Sequence, residues 1–455
     1  MNRMRQAIRT SGVLVLGVAA LLLVSTGSAW AQARIDGIIG QTSLAFTAKA
    51  GEVSTPDGGS LHFWGYEDLG NNEGVGIPQY PGPTLILNQG DAVMITLTSE
   101  IPSANGCSSI VFPGHAVTAT GGSAGLLTQE SCGPADTVTY DFTASQPGTY
   151  MYHSGTEPEL QIEMGLVGTI IVRPGAGEAY AYDLDTGFDH EYLFLLTSMD
   201  PGVHAMAEQG RFAEIDMTEY YPVYWFINGR AAPDDLADPF VAWLPHQPYN
   251  ATPRMNPGQK LLMRIIGAGQ GQHPFHFHGN NADQIARDGR LLTHPRSKFT
   301  TLSVPGETVD QIFTWTGYEL GWDMYGPVNP DCVDSNNDMA TDGSDPPETC
   351  HDADCIDGNG DGFDDTNWEY CPDHGTEIPV TLPEAQNLAF GGWWSGSPYM
   401  GDVQPLPPGE GGLNPFGGYF FMWHSHAEKE LTNFDIFPGG MLSMMVVEPP
   451  YVTIP

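Results

Sequence analysis

Two short segments of the chain carry five of its fourteen histidines. His273, His276 and His278 lie in the run QHPFHFHG, and His424 and His426 form a second closely spaced pair near the C-terminus. Side chains alternate across a β-strand, so the histidines of a His-x-His pair point to one face, about 6 to 7 Å apart. Neutral imidazole binds copper, zinc, iron and nickel. Two such pairs therefore predict a four-imidazole metal site, and in an exported chain they favour copper or zinc.

The same two segments resemble copper motifs of the multicopper oxidase family. His-Pro-Phe-His-Phe-His-Gly at 273–279 is similar to the penultimate motif of that family, and 424–426 followed by Pro-Gly-Gly-Met at 438–441 is similar to the last one. The stretch 81–91 resembles the entry strands of a cupredoxin domain. Two further segments, FPGHAVTATGG at 112–122 and GTYMYHS at 148–154, are similar to first-domain motifs of copper nitrite reductases and two-domain laccases.

The resemblance implies a set of copper ligands. Six histidines match ligands of the type 2 and type 3 coppers: His115, His153, His276, His278, His424 and His426. Pro113 and Gly155 stand where a complete trinuclear cluster would have two more histidines. His273 and Met441 match type 1 positions, where they are either metal ligands or core residues beside the metal. The remaining histidines, at 62, 190, 204, 246, 294, 351 and 374, lack metal-ligand spacing.

The sequence departs from the family at the type 1 copper. Ser425 stands where the family has the cysteine ligand, and no histidine follows His426. The nitrite-reductase-like cysteine position of the first domain is Ser154. A soft thiolate makes a blue copper site, and a hydroxyl cannot replace it. We therefore predict that both electron-entry sites are missing.

Alternating apolar and polar residues, separated by Gly, Pro, Asn and Asp turns, predict an all-β fold. Together with the resemblance they predict two cupredoxin-like Greek-key β-sandwich domains, the second carrying a long acidic, cysteine-containing insertion. The predicted boundaries are a signal peptide at 1–31, domain 1 at 32–176 and domain 2 at 177–455, with the insertion at about 321–412.

The insertion is strongly acidic, with fourteen Asp and Glu and no Lys or Arg between Asp331 and His374. Oxygen-bearing residues at alternate positions, with glycine at the turn, resemble short calcium loops. The alternative is a solvated acidic loop. The candidate calcium ligands are Asp357, Asn359, Asp361, Asp364 and Asp365, and in a second, weaker loop Asp334, Asn336 and Asp338.

Six cysteines in an exported chain fit structural disulfides. Cys107 and Cys132 flank the His115 segment and could pair. The pairing of the others, all in the insertion, is left open: Cys332, Cys350, Cys355 and Cys371.

The N-terminal segment has arginines, an apolar run and an Ala-x-Ala cleavage site, which predict export to the periplasm, the cell surface or the extracellular space. The formal net charge of −39 makes anionic nucleic acid and anionic lipid surfaces poor partners. No stretch predicts a membrane span.

Two function classes remain. The chain is either a copper-dependent oxidoreductase whose small-molecule or metal-ion substrate binds at or near the metal, or a non-catalytic copper-binding or calcium-stiffened assembly protein of the cell surface or extracellular space. The resemblance to two-domain relatives implies a homotrimer in which neighbouring subunits share the histidine site.

Overall fold

The computed structural model describes residues 35–73, 76–175, 179–318, 320–323, 355–364, 369–378, 396–398, 418–448 and 452–454. The predicted signal peptide lies outside these residues. The α-helices among them are Pro158–Glu163 (α1) and Pro201–Glu208 (α2). Strands form almost all of the remaining regular structure, so the all-β prediction is confirmed.

The first half of the chain forms twelve strands. They are β1 Ile38–Ile39, β2 Ser43–Ser54, β3 Ser60–Asp68, β4 Gly82–Asn88, β5 Ala92–Ser99, β6 Cys107–Ser108, β7 Thr118–Gly121, β8 Ser123–Ala124, β9 Gln129–Cys132, β10 Val138–Thr143, β11 Gly148–His153 and β12 Val167–Arg173. Two sheets, ordered β1-β4-β12-β11 and β3-β2-β5-β10-β7, form a sandwich. A small third sheet is ordered β6-β9-β8.

The second half forms another pair of sheets. Its strands are β13 His190–Met199, β14 Tyr224–Ile227, β15 Arg254–Met255, β16 Lys260–Gly267, β17 His273–Phe277, β18 Ala282–Arg287, β19 Arg290–Lys298, β20 Thr300–Ser303, β21 Thr308–Thr314, β22 Phe363–Asp364, β23 Glu369–Tyr370, β24 Gly396–Pro398, β25 Tyr419–Ser425 and β26 Leu442–Val447. One large sheet is ordered β14-β13-β16-β21-β18-β19. The other is ordered β15-β26-β25-β17-β20, with β24 paired to β25. β22 pairs with β23.

The two halves pack against each other along strands that are buried on both faces. In β12, Ile170 packs into the core of the first sandwich, whereas Ile171 joins an apolar cluster shared with the second half. In β13, Phe194 faces the second core and Leu195 faces that shared cluster. Burial on both faces explains why these strands are continuous apolar runs.

Buried charges also join the two halves. Glu191 of β13 accepts hydrogen bonds from Arg173 of β12 and from Arg264, whose Nε lies 3.0 Å from Oε2. Asp310 accepts a 2.6 Å hydrogen bond from Thr149 Oγ1 in β11. Because each buried charge has an opposite charge or a hydrogen-bond donor, the network fixes how the halves dock.

Candidate metal centre

Strands β17 and β25 lie side by side and bring the two histidine pairs together. His276 is the direct antiparallel partner of His424, and Phe277 is the partner of Trp423. Phe275, Phe277 and Trp423 pack into the apolar core of the second half. Since side chains alternate along a strand, the imidazoles of His276 and His424 project from the opposite face of the sheet.

The four histidines of this face form one cluster, which we call the histidine nest: His276, His278, His424 and His426. The His276 ring centroid lies 4.8 Å from that of His278, 5.4 Å from that of His424 and 5.1 Å from that of His426. Nε2 of His278 and Nε2 of His424 are 3.1 Å apart. Ligand atoms of His276, His278 and His424 all lie within 4.8 Å of one another, so these three side chains could hold one metal ion.

Burial favours the neutral, metal-binding form of two histidines of the nest, His276 and His424. His276, His278 and His424 are buried, whereas His426 is exposed. Burial lowers the pKa of His424 to about 4, even though its hydrogen bond to the Ser425 carbonyl raises that pKa. Burial likewise lowers the pKa of His276. Neutral imidazoles have a lone pair available for a metal at ordinary pH.

Hydrogen bonds also set which ring nitrogen is free. A carbonyl oxygen only accepts, so Nδ1 of His276 donates to Phe299 O at 2.8 Å, and Nδ1 of His424 donates to Ser425 O at 2.6 Å. The lone pair of each ring is then on Nε2. Nε2 of His276 is buried and has no hydrogen-bond partner among the residues that the structure describes. A buried lone pair without a partner is costly, and a metal ion would satisfy it, so the donor set fits copper.

The other two candidate copper ligands lie in the first half, and the structure does not bring them into the nest. The ring of His115 lies 4.6 Å from Tyr150 and 4.9 Å from Phe142, and neither of its nitrogens has a hydrogen-bond partner. Burial lowers its pKa to about 4. His153 ends β11, and its Nδ1 donates to Ser154 O at 2.9 Å.

The positions that resemble a type 1 site form a hydrogen-bonded cluster that includes one residue missed by the sequence analysis. Oε2 of Glu430 accepts from Nδ1 of His273 at 3.0 Å and from the Ser425 hydroxyl. Met441 is fully buried in the core, and its backbone N–H donates to the Glu430 carbonyl at 2.8 Å. The only sequence signal for Glu430 was its place a few residues after His426, where the resemblance expects a histidine.

The remaining sequence predictions fall partly within the described residues. Cys107 pairs with Cys132, and Cys355 pairs with Cys371. In the loop that the second disulfide closes, Asp357, Asn359 and Asp361 accept hydrogen bonds from backbone N–H groups of the same loop. Asp364 is buried and accepts from Ile356 N at 3.1 Å. Six predicted residues lie outside the described part of the chain: Cys332, Asp334, Asn336, Asp338, Cys350 and Asp365.

Comparison with known proteins agrees with the resemblance. Residues 70–177 match the family model described as "Multicopper oxidase". An L-ascorbate oxidase of Cucurbita pepo is 34% identical over 112 residues, which are 23% of this chain and 19% of that protein. A dihydrogeodin oxidase of Aspergillus terreus is 29% identical over 233 residues, 49% of this chain and 35% of that protein. The chain thus aligns with about a fifth to a third of the length of these relatives.

Two solved structures share the fold over nearly the whole chain. A multicopper oxidase called mgLAC has a TM-score of 0.50 at 16% identity and covers 91% of this chain and 87% of its own. A blue copper oxidase from Nitrosomonas europaea has a TM-score of 0.50 at 17% identity, with coverages of 89% and 85%. These likenesses bear on the fold, and they confirm the predicted cupredoxin-like domains.

Proposed function

We propose that this chain, a multicopper oxidase-like cupredoxin protein, is an exported copper-dependent oxidoreductase without a thiolate electron-entry site. The observation that carries the proposal is the group of His276, His278 and His424, with ligand atoms within 4.8 Å of one another. Bound copper would supply one-electron redox chemistry. The protein would hold the imidazoles of His276 and His424 neutral and direct their Nε2 atoms away from their carbonyl partners.

The cluster at the type 1 position supports direct access of the reductant to the metal. Glu430 accepts hydrogen bonds from both His273 and Ser425, so these side chains already have partners. Carboxylate, hydroxyl and imidazole together do not make the soft site that a blue copper needs. A small organic reductant would therefore have to reach the nest itself, and the exposed ring of His426 lies on the accessible side of the nest.

A second copy of the chain is the proposed source of the missing ligands. The exposed side chain of Leu127 lies beside Gly155, near His153, and the exposed ring of Phe299 lies 5.9 Å from the His276 ring. Apolar residues therefore border each half of the proposed histidine set. In a homotrimer with head-to-tail contacts, His115 and His153 would complete the nest of a neighbour, because a rotation of one third of a turn closes the ring.

Mixing two variants tests both copper binding and subunit sharing. We expect His153→Ala and His424→Ala each to lower the copper content per chain, measured by elemental analysis and electron paramagnetic resonance. Mixed after dissociation, they should recover part of the copper, because some interfaces then carry no substitution. His294→Ala, which changes an exposed histidine of β19, is the matched control and should keep full copper.

Two results would contradict this proposal. A monomer that binds copper as tightly as the assembly would rule out the shared site. If the copper-loaded protein consumed no oxygen with ascorbate or phenols as reductants, the oxidoreductase assignment would fail. The alternative of a non-catalytic copper-binding or calcium-stiffened assembly protein would then stand, and the His273–Glu430–Ser425 cluster favours it because it leaves no electron-entry site.

We also propose that the insertion binds calcium and that the chain is exported. The Cys355–Cys371 disulfide closes a loop in which carboxylates and an amide carry oxygens at alternate positions, as calcium ligands do. Disulfides and the apolar segment at 1–31 support export to the periplasm, the cell surface or the extracellular space. Within the described residues, none of the helices is long and apolar enough to cross a membrane.

A further inference from the structure

A second group of metal-ligating side chains lies at the base of the acidic insertion. Ligand atoms of Asp323, Glu369 and His374 are all within 4.8 Å of one another. Asp323 directly follows Trp322, which is buried in the core of the second half. Glu369 and His374 flank Cys371 in the sequence, and Cys371 forms a disulfide with Cys355. The group is therefore distinct from the histidine nest on β17 and β25.

Hydrogen bonds hold these three side chains in place. Nδ1 of His374 lies 2.7 Å from Oε1 of Glu369. Oδ2 of Asp323 accepts from Gly375 N at 3.1 Å, and the Asp323 N–H donates to Thr376 O at 2.9 Å. Residues 52 apart in the chain are thus fixed against each other. Backbone contacts of this kind position ligands before a metal binds.

The buried carboxylates beside His374 would be stabilised by a bound cation. Asp323, Glu369 and the neighbouring Asp364 are only 5%, 4% and 1% exposed. No Lys or Arg occurs anywhere from 299 to 428, so His374 is the local basic side chain. Burying carboxylates without a compensating cation is costly, and a bound divalent ion would remove that cost.

We propose that Asp323, Glu369 and His374 bind a zinc ion that fastens the insertion to the second domain. Two carboxylate oxygens and one imidazole nitrogen, with a water as the fourth ligand, suit tetrahedral zinc. Calcium takes six to eight oxygen ligands, so the imidazole distinguishes this site from the proposed calcium loop at Asp357. On binding, His374 would exchange its contact with Glu369 for a bond to the metal.

Zinc titration of the whole protein tests this assignment. We expect His374→Gln and Asp323→Asn each to bind one zinc equivalent fewer than the parent. Glu377→Gln, which changes an exposed carboxylate of the same insertion, is the matched control and should keep that equivalent. His276→Ala with His424→Ala should lose copper and still bind zinc here, which separates this proposal from the copper site.

Histidine modification gives a readout that needs no substitution at the site. Zinc added to the unaltered protein should slow the reaction of diethyl pyrocarbonate with His374, mapped by mass spectrometry, by at least about tenfold, whereas calcium should not. The assignment is overturned if His374 reacts equally fast with and without zinc. It is also overturned if His374→Gln and Asp323→Asn bind as much zinc as the parent.

Discussion

Glu430 lies a few residues after His426, where the resemblance to multicopper oxidases expects a histidine. Its carboxylate accepts hydrogen bonds from His273 and Ser425, two residues that resemble type 1 positions. Met441 is fully buried, and its backbone N–H donates a hydrogen bond to the Glu430 carbonyl. Ser425 and Glu430 therefore stand where the resemblance expects a cysteine and a histidine, and they are joined by a hydrogen bond instead.

We predict that the copper-loaded protein has no intense blue absorption, because no cysteine thiolate is available at 425 or 154. Ser425→Cys alone should stay colourless, since Glu430 still engages His273. Adding Glu430→His to Ser425→Cys should produce intense blue absorption on copper loading, measured by absorption spectroscopy. Glu430→His alone is the control. A blue parent protein, or a blue Ser425→Cys single variant, would contradict this reading.

At the scale of elements, the pairing of β17 with β25 makes the nest. Phe275 on β17 is fully buried, with its ring 5.3 Å from that of Phe194, and it fixes the face on which the histidines emerge. A slip of one residue would turn every side chain to the opposite face. The apolar side chains of these strands therefore specify the geometry of the polar ones.

Phe275→Ala should lower the free energy of unfolding by about 3–5 kcal/mol, since it removes a buried aromatic side chain and leaves a cavity. Copper affinity should fall with it, because β17 loses the contact that holds it against the core. Leu291→Ala on the exposed β19 should change stability by less than about 0.5 kcal/mol. Denaturant unfolding and copper titration measure both effects, and unchanged copper affinity would show that the core does not position the nest.

We predict that the acidic loop closed by the Cys355–Cys371 disulfide binds calcium. Calcium should bind the loop oxygens and order the insertion, so chelation should expose cleavage sites between 331 and 374 while the two β-sandwiches stay resistant. Asp357→Asn should weaken calcium binding, because both Asp357 oxygens already face the loop interior. Limited proteolysis with calorimetry tests this. Absence of calcium binding would leave the loop as a solvated acidic segment.

At the scale of the whole molecule, polar contacts reinforce the apolar interface between the halves. Tyr249 of the second half donates a 2.8 Å hydrogen bond to Glu73 of the first, and Gln79 Nε2 donates to the same carboxyl group at 3.0 Å. Burial raises the pKa of Glu73 to about 7 from its usual value near 4.5. The folded protein therefore favours the protonated form of this group.

Because the pKa of Glu73 is raised in the folded state, protonated Glu73 contributes fully to the free energy of unfolding below pH about 4.5. This contribution is lost as the pH rises to about 7. Glu73→Gln cannot ionise and can still accept a hydrogen bond through its amide oxygen, so its advantage over the parent should grow across this window by about 2–3 kcal/mol. Glu428→Gln, at an exposed position, should follow the parent. Denaturant unfolding at several pH values measures this, and parallel curves for Glu73→Gln and the parent would contradict it.

The sequence by itself determined the features that depend on local spacing. The period of two along a strand places His276 with His278 and His424 with His426, whatever the rest of the chain does. Alternating apolar and polar runs separated by turn residues already indicated an all-β fold. The absence of cysteine at 425 is likewise a property of the sequence.

Only the tertiary structure decided which distant residues meet. Glu430 lies against His273, 157 positions away, because the loop after β25 folds back beside β17. His374 had no metal-ligand spacing, yet the turn at 373–376 pairs with Asp323 and places it beside Glu369. Contacts of this range depend on how sheets and loops pack, and neither periodicity nor spacing along the chain encodes that packing.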